Sequence, residues 1–227
     1  MSVLAVPVSP ISQSKRRLAK IFSNEQLEEL TLAMLKDFCK KTLDLNCFTE
    51  KIVYCNTAQV LELSEEYGFC PIREESGQKI DNFNDVIAQM NNMILKKFNP
   101  ENVVISFVDL VLISPTNLVE IKNLLEKNQL VICPSVHSLG ISILGRNPPD
   151  VIDTCFSPSN GSSLIAQIEL AKKNDLVKIA LYDSFRAGFD VDLKEHLKLG
   201  YEFLKIFNLT DSETYKFMQN HLKTLLK

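Results

Sequence analysis

The sequence predicts an α/β fold with a mostly parallel β-sheet between layers of helices. Three observations lead there. Short apolar runs alternate with longer amphipathic stretches along the chain, the order that βαβ units produce. One run, Val103 to Val108, is almost wholly apolar, as a central parallel strand is when helices cover both its faces. Finally, 227 residues with 45% hydrophobic and 23% charged side chains suit one domain, residues 1–227, with a core of useful size.

The elements follow in order. Val3 to Val8 reads as the first strand. It lacks a basic leader, and Pro7 and Pro10 interrupt it, so a targeting segment is not expected. Ser9 to Lys15 is a polar loop. Asn24 to Lys41 reads as a helix with Ser23 as N-cap and Gln26 at the capping-box position. Leu27, Leu30, Met34 and Phe38 share one face of it. Lys51 to Cys55 is a strand, Ala58 to Tyr67 a helix and Phe69 to Ile72 a strand. Asn84 to Phe98 is helical and stops before Asn99-Pro100. After the central strand, Ser114-Pro115 opens another helix, with proline at its first position. Leu130 to Cys133 and Ile141 to Leu144 are strands, and Pro148 to Asn160 is the longest irregular segment. Gly161 to Lys173 is a helix, Val177 to Leu181 a strand, and Leu193 to Phe207 and Asp211 to Leu226 the closing helices.

Composition excludes several classes of function. The net charge of -3 offers no basic field for nucleic acid. No run approaches the ~20 apolar residues that span a bilayer. The six cysteines, at 39, 47, 55, 70, 133 and 155, contain no C-x-x-C pair. They read as free thiols in a reducing compartment, and a cytoplasmic location is expected. No P-loop, G-x-G-x-x-G or G-x-S-x-G motif is present.

Ligands of open α/β sheets sit beyond the carboxyl ends of the strands, and polar residues that follow apolar runs are the candidates. Asp109 ends the central run, where it is a site carboxylate, an N-cap or a solvated loop acid. Asp190 and Asp192 are two apart, so in extended chain both point the same way and could face one cation such as Mg²⁺. Asp192 is equally well placed to cap the helix at Leu193. Lys15 and Arg17, after the first strand, would lie at the same mouth and could hold a polyphosphate, or form a solvated basic turn. Among the histidines at 137, 196 and 221, only His137 sits in a loop after a strand. His196 falls within a helix and reads as structural or exposed.

At these residues the sequence resembles the phospholactate guanylyltransferases of coenzyme F-420 synthesis. The stretch Tyr182-Asp183-Ser184-Phe185-Arg186-Ala187-Gly188-Phe189-Asp190-Val191-Asp192 is similar to a family segment that ends in aspartate, hydrophobic, aspartate before a helix. Lys15-Arg16-Arg17-Leu18 corresponds to the family's Lys-Ser-Arg-Leu. Asn84, Asp109-Leu110, Pro148-Pro149 and Gly161-Ser162-Ser163 match further motifs in family order, over most of the chain.

The resemblance implies a three-layer α/β/α nucleotidyltransferase fold of the nucleotide-diphospho-sugar transferase type. It also implies transfer of GMP from GTP to 2-phospho-L-lactate, phosphoenolpyruvate or 3-phosphoglycerate, with release of pyrophosphate. By that likeness Asp109, Asp190 and Asp192 hold Mg²⁺, and Lys15 and Arg17 neutralise the β- and γ-phosphates. Asn84, Gly140 and Ser142 face the nucleotide, while Ile141, Gly161 and Ser163 face the acceptor. Four positions depart from the family pattern. Ser9 stands where the family has a lysine-like group and Val111 where it has proline. Ile141 and Ser142 replace the threonine and asparagine of Gly-Thr-Asn. A related nucleotidyltransferase with another acceptor or base, and a paralogue that binds nucleotide without turnover, are the alternatives. Asp211 to Lys227 reads as a dimer helix or a domain cap.

Overall fold

All six residues of β1 (Ser2–Pro7) are buried, because both its faces are covered. Leu4 and Val6 point into one apolar cluster and Val3 and Ala5 into another on the opposite face. That is the period-two alternation of a central strand with no solvent side. The structure is a computed structural model that describes residues 1–9, 15, 17–75, 82–159, 161–221 and 223. After β1 come α1 (Asn24–Thr42), β2 (Glu50–Cys55), α2 (Ala58–Glu66), β3 (Cys70–Arg73), α3 (Phe83–Phe98), β4 (Asn102–Ser106), α4 (Pro115–Leu125) and β5 (Leu130–Pro134). The chain continues through β6 (Ile141–Arg146), α5 (Ser163–Lys173), β7 (Ile179–Leu181), α6 (Phe185–Gly188), α7 (Lys194–Ile206) and α8 (Glu213–Asn220).

Helix starts follow side-chain chemistry. Ser23 and Gln26 form the expected capping box of α1, which satisfies two otherwise orphaned N–H groups. Ser114, ahead of Pro115, caps α4 in the same way. For α3 the cap is Asn82, with Asp85 as its reciprocal partner, so the helix begins one residue before Asn84.

Among the described residues, seven strands form one sheet in the order β3-β2-β1-β4-β6-β5-β7. β1 pairs in parallel with β2 and β4, β2 with β3, and β5 with β7. Among the described residues, β6 alone runs antiparallel, to both β4 and β5. The short connection 135–140 between β5 and β6 explains this, since a parallel crossover needs a dozen or more residues.

From β1 the chain goes to β2 on one side, while β4 lies on the other. The strand order therefore reverses at β1, and a crevice opens beyond the carboxyl ends of β1 and β4. Among the described residues, no helix is long and apolar enough to cross a membrane. The short helix α6 was not expected. The last strand starts at Ile179 rather than Val177, and the last helix spans Glu213–Asn220. Residues 222 and 224–227, where the predicted helix continued, lie outside the described residues, as do Pro10 to Ser14, Arg16 and Asn160.

Candidate active site

The crevice at the switch point gathers most of the predicted site residues. Arg17, Asp109, Asp190, Asp192, Gly140, Ile141, Ser142 and Ser163 line one cleft of about 440 Å³. Asp109 follows β4. Asp190 and Asp192 follow α6 and are tied to it by the Val191 N–H, which donates to the Asp109 carbonyl at 3.2 Å. That backbone bond joins two segments about eighty residues apart in sequence.

Lys15 holds the focus. Its backbone is left-handed, with φ of 51°, and its ammonium lies 2.5 Å from Asp109 Oδ2, 2.9 Å from Asp192 Oδ1 and 2.6 Å from the Val191 carbonyl. An ammonium has three donors, so none remains for a phosphate in this state. Lys15 thus pairs directly with two of the three acids that the resemblance assigns to the metal, Asp109 and Asp192. Asp190 does not share the pairing, because its Oδ1 accepts from Ser135 Oγ at 2.6 Å. Asp192 is not a helix cap either. The N-cap of α7 is Leu193, with no side-chain bond, and the Asp192 carboxylate is spent on Lys15.

The electrostatics follow the burial. Burial raises the Asp109 carboxyl above its ordinary value, the neighbouring Asp192 and Asp190 add to this, and Lys15 opposes it. Burial disfavours the charged form of Asp192 too. Lys15 outweighs it, with help from Arg17 and His196, so Asp192 is held below the usual carboxylate range. Burial would lower Lys15, but the two carboxylates raise it above its ordinary value.

No set of three His, Cys, Asp or Glu side chains grouped for a metal occurs among the described residues. The donor chemistry nevertheless suits a divalent ion. Two hard carboxylate oxygens already converge on one cation, and Mg²⁺ commonly takes one or two carboxylates plus substrate phosphates. The cleft lining sets Asp109, Asp190 and Asp192 against Arg17, with Lys15 paired to two of the acids.

The remaining predicted residues divide. Gly140, Ile141, Ser142 and Ser163 face Asp109 across the cleft. Ser163 is the first residue of α5, capped by Ser162, so its helix N-terminus is available to an anion. Gly161, with φ of 81°, and Asn84 do not line this cleft. Asn84 instead clasps the long loop. Its amide donates to the Ser157 carbonyl at 3.2 Å and its carbonyl accepts from the Ser157 N–H at 3.1 Å.

Several contributors were not read from the sequence. Ser135 steadies Asp190, and His196 Nδ1 accepts from the Asp192 N–H at 3.3 Å. His196 stacks on His137 with ring centroids 3.7 Å apart. The sequence singled out His137 as the site histidine, but its Nε2 is buried without a partner among the described residues. Burial and then His196 hold it below the ordinary imidazole range. Lys41 and Arg186 bond the carbonyls of Val111 and Leu112 at 2.7 and 2.8 Å and pin the turn after Asp109. Phe83, Phe107 and Phe156 complete one wall of the cleft. No spacing signals the His196 contact, because Asp192 precedes the N-cap of α7 and meets His196 through its backbone N–H.

A family model described as Guanylyl transferase CofC like matches residues 1–220. The chain belongs to the CofC-like guanylyl transferase family. It is accordingly a nucleotidyltransferase. A 2-phospho-L-lactate guanylyltransferase of Methanocaldococcus jannaschii is 27% identical over 223 residues, 97% of this chain and 87% of the relative. Among solved structures, one described as a nucleotide-diphospho-sugar transferase of Desulfovibrio desulfuricans G20 has a TM-score of 0.76 at 16% identity, over 99% of this chain and 96% of the other. A nucleotidyl transferase of Methanothermobacter has a TM-score of 0.61 at 12% identity, over 91% of this chain and 99% of its own. At these identities the structures establish the shared fold. In this CofC-like chain, Arg17, Asp109, Asp190 and Asp192 line one cleft of that fold.

Proposed function

We propose that this chain transfers GMP from GTP to a small phosphorylated acid, with 2-phospho-L-lactate as the first candidate, and releases pyrophosphate in coenzyme F-420 synthesis. The observation that carries the reading is the meeting of Asp109 and Asp192 on one cation, in a cleft that also holds Arg17 and the N-terminus of α5. Phosphoenolpyruvate and 3-phosphoglycerate are the other acceptors to be tried.

In this reading an acceptor phosphate oxygen attacks the α-phosphorus of GTP. The bond from that phosphorus to the α–β bridging oxygen breaks, and pyrophosphate leaves in line. Asp109 and Asp192 would hold a divalent ion, with Asp190 beside them. Such an ion supplies charge neutralisation to the phosphates. Arg17, exposed in the cleft, meets the β- and γ-phosphates, and Lys15 joins it once its carboxylate partners are otherwise engaged. The Ser163 N-terminus and the 140–142 segment orient the acceptor anion. Positioning and charge neutralisation then supply most of the catalysis, as in phosphoryl transfer generally.

The test is pyrophosphate release by purified protein given GTP, Mg²⁺ and each of the three acceptors in turn. Release with phospholactate is expected. Silence with all three would remove the reading. A preference for CTP or UTP over GTP would point to a nucleotidyltransferase of the same family with another base.

A further inference from the structure

Phe83, Phe107 and Phe156 come from three separate places in the chain: the first residue of α3, the residue after β4 and the long loop after β6. Their rings nevertheless meet. The centroids lie 6.0 Å apart for Phe83 and Phe107, 5.8 Å for Phe83 and Phe156, and 5.4 Å for Phe107 and Phe156. Each ring is half-buried. On one side the three pack against the apolar cluster beneath α3, and on the other they line the cleft that holds Arg17, Asp109 and Asp192. Three partly exposed phenyl rings in one polar cleft are an unusual use of apolar surface unless a flat apolar body covers them.

We propose that this aromatic wall is the surface on which the nucleobase of the nucleotide substrate stacks. The proposal rests on the nucleotidyl-transfer reading and adds where the base goes and how it is chosen. The small phosphorylated acid carries too little apolar surface to cover three rings, whereas a base has a full π-face. The cleft, at about 440 Å³, places the wall, Arg17 and the acids that pair with Lys15 in one continuous space, as a nucleoside triphosphate requires. Asn84 and Ser157 follow Phe83 and Phe156 directly in sequence, and their two reciprocal hydrogen bonds hold these ring-bearing segments together. Those bonds use the Asn84 amide for the clasp rather than for the edge of a base. The wall therefore selects by ring area and favours purines over pyrimidines.

Equilibrium binding of tripolyphosphate, GTP and CTP, all with Mg²⁺, tests this on the native protein and on Phe107→Leu and Phe156→Leu. Stacking on an aromatic side chain is commonly worth about tenfold or more in affinity. Native protein should bind GTP at least about tenfold tighter than tripolyphosphate, with CTP between them. Each leucine variant should lose most of that GTP advantage while its tripolyphosphate affinity stays native, and Phe156→Tyr, which keeps a ring, should restore the advantage. Leucine variants that keep the native ratio of GTP to tripolyphosphate affinity would overturn the proposal, as would equal native affinity for CTP and GTP. Should the leucine variants not fold, the native order of ligands and the tyrosine variant decide. Failure of native protein to bind tripolyphosphate at all would remove the nucleotidyl-transfer reading, and the wall's role with it.

Discussion

The Lys15 ammonium lies 2.5 Å from the Asp109 carboxylate, although ninety-four residues separate them in sequence. The pair is largely shielded, with 10% and 19% of the two side chains exposed. Removing one partner from such a pair strands the other charge. Lys15→Met should therefore cost roughly 2–3 kcal/mol of stability, less than the ~3–5 kcal/mol for a fully buried pair because Asp192 stays partly in solvent. Adding Asp109→Asn should recover a large part of that loss. Urea denaturation of the two single variants and the double variant measures both; additive losses would show that the contact does not couple them.

Asp109 and Asp192 meet at one cation while Asp190 is held by Ser135. All three acids are expected to matter for turnover, in different ways. Asp109→Asn and Asp192→Asn should each weaken Mg²⁺ dependence and lower kcat by about a hundredfold or more, the scale of losing a preorganised charge contact. Asp190→Ala should also remove most turnover with the fold intact, but with a smaller change in the Mg²⁺ concentration for half-activity. Titration of pyrophosphate release against Mg²⁺ separates the two cases. An unchanged rate in Asp190→Ala would take that acid out of the machinery.

Gly188 precedes the acids by two residues, and its carbonyl accepts from the Val136 N–H at 2.8 Å. A Cβ there would lie 2.5 Å from the Pro134 carbonyl oxygen and 2.9 Å from Val136 Cγ1. Backbone cannot yield as a flexible side chain can, so the 188–192 segment must move. Gly188→Ala should lower stability by about 1–3 kcal/mol and reduce kcat more than it raises the KM for GTP. Thermal unfolding and steady-state kinetics check this; a variant with native stability and rate would show that the strand ends adapt.

Burial lowers Lys41 to about 8, opposed by Asp37 and aided by Arg186. Between pH 8 and the unfolded value near 10.5, the unfolded chain keeps the proton that the folded protein has released. Stability from this group therefore rises with pH through that window, by up to about 3 kcal/mol. Buried thiols such as Cys39, raised to about 12, act in the opposite sense, so the comparison must be with Lys41→Met. The native protein should gain stability relative to this variant between pH 8 and pH 10 in urea denaturation. Parallel curves would mean that Lys41 stays charged.

Much of this was legible in the chain. Ser23 with Gln26 and Ser114 with Pro115 marked their helices because caps are local chemistry. Asp109 and the Asp190–Asp192 pair were legible because they follow the strand and the aspartate motif that the family resemblance picked out. The three-way contact of Lys15 was not, because nothing in a spacing says which cation a carboxylate chooses. Asn84 illustrates the same limit. Its helix was read correctly, but its amide turns to Ser157, a partner seventy-three residues away.

Sequence by itself determined the alternation of strands and helices, the central run before Asp109 and the kinds of charge available, since periodicity and capping act over a few residues. Only the tertiary structure decided that β6 runs antiparallel, that Asp190 leans on Ser135 and that Phe83, Phe107 and Phe156 share one wall. Those outcomes depend on which distant segments pack together, and long-range packing is set by the burial of the whole chain at once rather than by any stretch of it.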